Sequence, residues 1–109
     1  MSFKTHNNFI AGRWVPSMTG TTYTITNPAR KNEVLGEFQS STQEDAQRAV
    51  AMAADARKGG AETPAPSRAA VLFRALSILE SRADEMARSI TTEEGKPLID
   101  SQGEVKRAM

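Results

Sequence analysis

Residues 64–97 read PAPSRAAVLFRALSILESRADEMARSITTEEGKP, and the fold turns on this stretch. Ala69, Leu72, Leu76, Leu79, Ala83, Met86 and Ile90 recur at alternating spacings of three and four. That spacing places all seven on one helical stripe, which Phe73 and Ala87 widen. Arg74, Glu80, Arg82, Glu85 and Arg88 fall on the opposite, solvated side. So apolar a stripe must press on another surface. Ser81 and Asp84 offer a second cap in mid-stretch, so one bent helix and two consecutive helices both fit. Gly95 followed by Pro97 is a helix stop, and Pro97 can open the next helix.

Working outward, Leu98, Val105 and Met109 would share a face of that next helix. Lys106-Arg107-Ala108-Met109 holds no terminator, which reads as a helix cut midway; a frayed end is the alternative. Upstream, Thr42 and Asp45 resemble a capping pair, with Glu44 and Asp45 in the first turn where the dipole favours acids. Ala46, Ala49, Val50 and Ala53 repeat at helical spacing. Arg57 and Lys58 are expected in the last turn and Gly59-Gly60 at the end, with a linker over 62–66.

The first forty residues read as strands. In NFIAGRWV, residues 8–15, two short apolar pieces flank Ala11-Gly12. Gly12 can take positive φ, which predicts a tight hairpin burying Phe9, Ile10, Trp14 and Val15. TTYTIT, residues 21–26, has the alternation of a half-buried strand, which Asn27-Pro28 ends. Residues 30–32 are expected to turn and 34–39 to form another strand. The expected class is α+β: strands within about 8–38, then helices near 42–58, 66–94 and 97–109.

Composition narrows the function. The 109 residues allow one small domain. Fourteen Lys+Arg against 13 Asp+Glu leave a net charge of +1, with the two signs interleaved. That balance points to neither nucleic acid nor an anionic membrane. No apolar run approaches the roughly 20 residues of a membrane span. The absence of cysteine excludes disulfides, thiolate metal sites and a cysteine nucleophile here, and is in keeping with a cytoplasmic location.

The reactive groups are sparse. His6, the only histidine, has no carboxylate or serine spaced to work with it. Glu93, Glu94 and Lys96 cluster at a helix end, where capping and ion pairing explain them. No His/Asp/Glu cluster has metal spacing, and neither GxGxxG nor a phosphate loop occurs. Arginines and lysines are not interleaved with aromatics as on a nucleic-acid face. The residues themselves specify no catalytic or cofactor-binding group.

Read together, NNFIAGRWV (7–15), ITNPARKNEVLGEF (25–38), STQEDAQRAVAMAADA (41–56) and SRAAVLFRALSILESRADEMARSITTEEGKPLIDSQGEV (67–105) resemble the N-terminus of aldehyde dehydrogenases. The Asn27-Pro28 turn, Glu94-Gly95-Lys96-Pro97 and Gly103-Glu104-Val105 carry the resemblance. TTEEGKP, residues 91–97, is most similar to the semialdehyde-oxidising branch.

The resemblance implies a much longer α/β protein, with a Rossmann-like cofactor domain, a catalytic domain and an oligomerisation flap. In it a cysteine attacks the aldehyde to give a thiohemiacetal, and backbone and asparagine donors hold the oxyanion. Hydride passes to NAD(P)+, and a Glu-activated water releases the acid. All those groups would lie beyond residue 109. This chain would be an N-terminal scaffold, with no catalytic or cofactor-binding residue and no bound NAD(P)+. Its partners would be the rest of the polypeptide, or further copies through the apolar helix faces. Some members bind a monovalent cation, and the matching positions are Ile25, Thr26 and Glu104, with a fourth ligand lacking. The competing expectation is a free-standing, self-associating helical interaction module.

Overall fold

The computed structural model describes residues 3–109. Among them the order is β1 (Thr5–His6), β2 (Asn8–Ile10), β3 (Arg13–Val15), β4 (Thr22–Asn27), β5 (Arg30–Gln39), α1 (Gln43–Glu62), α2 (Ala65–Ser81), α3 (Ala83–Glu94) and α4 (Leu98–Ala108). Strands precede helices, as the sequence pattern requires. The chain divides into two compact units, one of residues 3–25 with 35–63, the other of 26–34 with 64–109.

In the first unit, β2 and β3 pair antiparallel with Phe9 opposite Trp14. The turn places Ala11 at φ 51° and Gly12 at φ 76°. Two successive positive φ values match the twist of a two-residue hairpin, and the alanine carries the strain. The expected burial does not hold. Phe9 is 61 % exposed and Trp14 69 %, their rings 5.0 Å apart, while Ile10 and Val15 are half-buried. The pair shares one face of the ribbon, and the two rings rest on each other.

Strand β1, unanticipated from sequence, pairs parallel with β5, Thr5 opposite Glu37 and His6 opposite Phe38. The sheet order is β1-β5-β4. The connection between β4 and β5 is Pro28-Ala29, so residues 30–32 are strand and not turn. The reason is Asn27, whose Oδ1 accepts the Ala29 N–H at 2.9 Å and completes the reversal early.

Helix α1 opens as expected. Asp45 N–H donates to Thr42 Oγ1 at 3.3 Å, and Thr42 N–H donates to Asp45 Oδ2 at 2.9 Å, a reciprocal capping box. Its end differs. Gly59 and Gly60 stay helical and the helix runs to Glu62, leaving no basic residue in the last turn. Thr63 closes it, with N–H and Oγ1 both donating to Gly59 O, at 3.2 and 2.9 Å. Pro64 then forbids continuation, because its ring pushes Thr63 out of the helical region. The expected linker shrinks to Thr63-Pro64, and Pro66 sits in the first turn of α2, where its missing N–H costs nothing.

The second unit settles the open question about the long stretch. The helix breaks at Arg82, at φ −116° and ψ 15°, giving α2 and α3. At the break Arg82 makes a 2.6 Å surface ion pair with Glu85. Helix α3 ends at Gly95 in the left-handed region, φ 75°, and α4 follows Pro97. α3 packs on α4 around Ala87, Ser101 and Val105, all buried. Of the expected α4 face, Val105 is buried, Leu98 half-buried and Met109 exposed beyond the helix end.

Helix α2 buries no residue fully. Leu72 is 72 % exposed and Phe73 70 %, while Ala69, Leu76 and Leu79 are half-buried. The stripe ends in an open apolar groove lined by Ala69, Leu72, Phe73, Leu76, Leu79 and Met109. Burying a Leu or Phe contributes about 1.5–3 kcal/mol, so this face is a substantial unsatisfied demand for a covering surface.

Candidate functional site

The polar residues of the second unit gather where α3 gives way to α4. Gly95 makes the corner. A Cβ there would meet Pro28 Cγ at 2.9 Å and the Ala29 nitrogen at 3.3 Å. The Asn-Pro turn thus lies flat against the helix stop, which only a glycine permits. Asn27, 6 % exposed, fixes the turn from inside: Nδ2 donates to Glu33 Oε2 at 2.9 Å while Oδ1 takes the Ala29 N–H.

Lys96 leaves the corner and joins two helices. Its Nζ lies 2.7 Å from Glu94 Oε2 and 2.6 Å from Glu104 Oε1. The hydrogen bonds that Lys96 donates to the two carboxylates, Glu104 first and then Glu94, raise the Lys96 pKa, and the bond to Glu104 lowers that of Glu104. Beneath it, the Thr91 and Ser101 hydroxyls meet at 2.8 Å, with Ser101 fully buried. The opening above this corner is lined by Asn27, Arg30, Glu33, Thr91, Thr92 and Lys96.

The first unit has its own polar hub. Asp45, 5 % exposed, accepts from Thr42 N, and its Oδ1 accepts from Met18 N at 3.0 Å. The Thr42 backbone N–H is the main reason its carboxyl is held below the usual range, and Met18 adds to it. Gln39 Oε1 accepts from Ser17 N at 2.9 Å, and its Nε2 donates to Asn7 Oδ1 at 3.0 Å. No buried side-chain polar atom among the described residues lacks a partner. These hydrogen bonds fasten strands and loops.

The singled-out residues separate accordingly. His6 stacks on Phe38, with ring centroids 4.6 Å apart and planes 9° apart, as a packing group. Of the Glu93, Glu94 and Lys96 cluster, Glu94 and Lys96 form an ion pair, and Lys96 also reaches Glu104 on α4. Ile25 and Thr26 lie in β4 just before its last residue, Asn27, and Glu104 lies on α4 paired with Lys96. Among the described residues no group of three His, Cys, Asp or Glu could hold a metal ion. Sequence reading missed the Met18–Asp45 and Thr91–Ser101 contacts, since they join residues 27 and 10 positions apart.

Known proteins resemble the chain over nearly its whole length. Residues 14–109 match the model of the aldehyde dehydrogenase family. The chain is 41 % identical over 102 residues to an alpha-ketoglutarate semialdehyde dehydrogenase of Haloferax volcanii, covering 94 % of this chain and 21 % of that one. It is 42 % identical over 102 residues to a malonate-semialdehyde dehydrogenase of Halalkalibacterium halodurans, with the same coverage. The crystal structure of NADP-dependent glyceraldehyde-3-phosphate dehydrogenase from Bacillus halodurans C-125, complexed with NADP, superposes with a TM-score of 0.88 at 32 % identity. That match covers 95 % of this chain and 22 % of the enzyme. The chain spans about a fifth of the length of the curated relatives it matches. In sequence over residues 14–109 and in fold over nearly the whole chain, the protein belongs to the aldehyde dehydrogenase family.

Proposed function

We propose that these residues form the N-terminal scaffold of an aldehyde dehydrogenase whose complete polypeptide oxidises an aldehyde to a carboxylate with NAD(P)+. The substrate class is a semialdehyde, on the strength of the two curated relatives above. Further polypeptide supplies the cysteine nucleophile, the cofactor cleft and the surface that covers the α2 stripe. The carrying observation is the pairing of an open apolar face on α2 with a chain that contains no cysteine. Thiol chemistry cannot proceed without a thiol, and an open apolar face of this kind asks for a covering surface.

The scaffold's own work is mechanical. Its hairpin, sheet and helices hold shape through the Asp45 and Lys96 networks and offer apolar faces to the rest of the fold. We place the complete protein in the cytoplasm, where a chain without cysteine needs no disulfides. Among the described residues no helix is long and apolar enough to cross a membrane. Where the remaining polypeptide is missing, the α2 face brings copies of the chain together.

The test is NAD(P)H formation by the purified 109-residue chain with succinate, malonate and 2-oxoglutarate semialdehydes. The expected rate equals the buffer blank. Turnover above it would place the chemistry inside these residues and end the scaffold reading.

A further inference from the structure

The resemblance puts an acid ligand of a monovalent cation at Glu104, and in the structure that carboxylate is paired with Lys96. Glu104 Oε1 is held by the Lys96 ammonium at 2.6 Å, and the same ammonium contacts Glu94 at 2.7 Å. Lys96 keeps only 21 % of its side chain exposed. It is therefore settled between the two carboxylates and not waving in solvent. A metal ion at Glu104 would stand beside a fixed positive charge and compete for the carboxylate oxygen that already accepts from Lys96 Nζ. All three residues belong to the same compact unit.

We propose that Lys96 is the resident cation of the α3–α4 corner, so that this protein needs no bound sodium or potassium there. The ammonium does what a metal would do: it joins the end of α3 to the middle of α4 through two acids. Tethered to the chain one residue after Gly95, it is delivered to its site by folding itself. The inference stands on the corner's geometry and not on the dehydrogenase reading, and the turnover assay above does not touch it.

Thermal unfolding of the purified protein in sodium, potassium and choline chloride at equal concentration tests it. The parent should melt at one midpoint in all three salts. A midpoint that rises in sodium or potassium relative to choline overturns the proposal. Lys96→Met leaves Glu94 and Glu104 without their shared cation. It should melt lower in choline and recover several degrees in sodium or potassium, while Lys96→Arg should stay indifferent to the salt. A Lys96→Met protein equally indifferent to all three overturns the proposal. If Lys96→Met does not fold in any salt, adding Glu104→Gln removes the orphaned acid and should restore folding; failure to restore it also counts against the pairing.

Discussion

Gly95 combines two constraints on one residue: a left-handed φ of 75° and a Cβ position 2.9 Å from Pro28 Cγ. Either would favour glycine, and together they make Gly95→Ala costly. The expected loss is about 1–3 kcal/mol of unfolding free energy, from backbone strain and displacement of the Asn-Pro turn. Urea denaturation measures it, and an unchanged midpoint would mean that the turn does not rest on the corner. The pH dependence also belongs at this scale. Asp45 is held low mainly by the Thr42 N–H, and Glu104 mainly by the Lys96 hydrogen bond. A depressed folded pKa gives stability that is complete above the ordinary carboxylate value, about 4, and is lost as pH falls through the folded value. Stability should therefore decline on acidification from about pH 5. Asp45→Asn should flatten that decline, and an acid limb of undiminished slope would remove Asp45 from the account. Half of the Asp45 network was legible, because Thr42 is three residues away. The Met18 half was not, because nothing local marks a backbone N–H that folding brings across 27 positions.

At the scale of elements, α1 shows where local signals mislead. Two adjacent glycines usually end a helix, yet here the helix runs through both to Thr63 and Pro64. A Cβ at Gly59 or Gly60 would meet nothing within 4 Å. Each change to alanine should therefore stabilise the protein by about 0.5–1 kcal/mol, chiefly by narrowing the unfolded ensemble. Chemical denaturation reads this, and a loss of stability would show that the glycines do serve as a stop. The start of α1, the Gly95 stop and the Ala11-Gly12 turn were legible, since each rests on a few neighbouring residues. The break at Arg82 was legible only as a choice between two outcomes. Strand β1 was not legible at all: two residues, Thr5 and His6, gain their structure from a partner more than thirty positions away. Phe9 and Trp14 were assigned to a core from their apolarity, but burial depends on what faces a strand, and sequence period does not report that.

At the scale of the whole molecule, the apolar faces matter most. Helix α2 has the pattern of a packing helix, and that pattern was plain in residues 64–81. What covers it was not written in the same residues. Val71, Leu72 and Phe73 stand in succession at 68–72 % exposure. Three consecutive residues cannot share one narrow stripe on a helix, so the covering surface must wrap a broad arc of α2. A long partner sheet meets that demand, and so, less completely, does a second copy. Family membership rested on the order of several weak motifs along nearly the whole chain, whereas the candidate cation position rested on single residues. The first is shown by the family match, and Glu104 of the second is paired with Lys96.

Sedimentation velocity of the 109-residue chain over a wide dilution series reads whether the α2 face needs a cover. Self-association that rises with concentration, and that Leu72→Lys on the α2 face weakens, is the expected result. A compact, folded monomer at every concentration would contradict it.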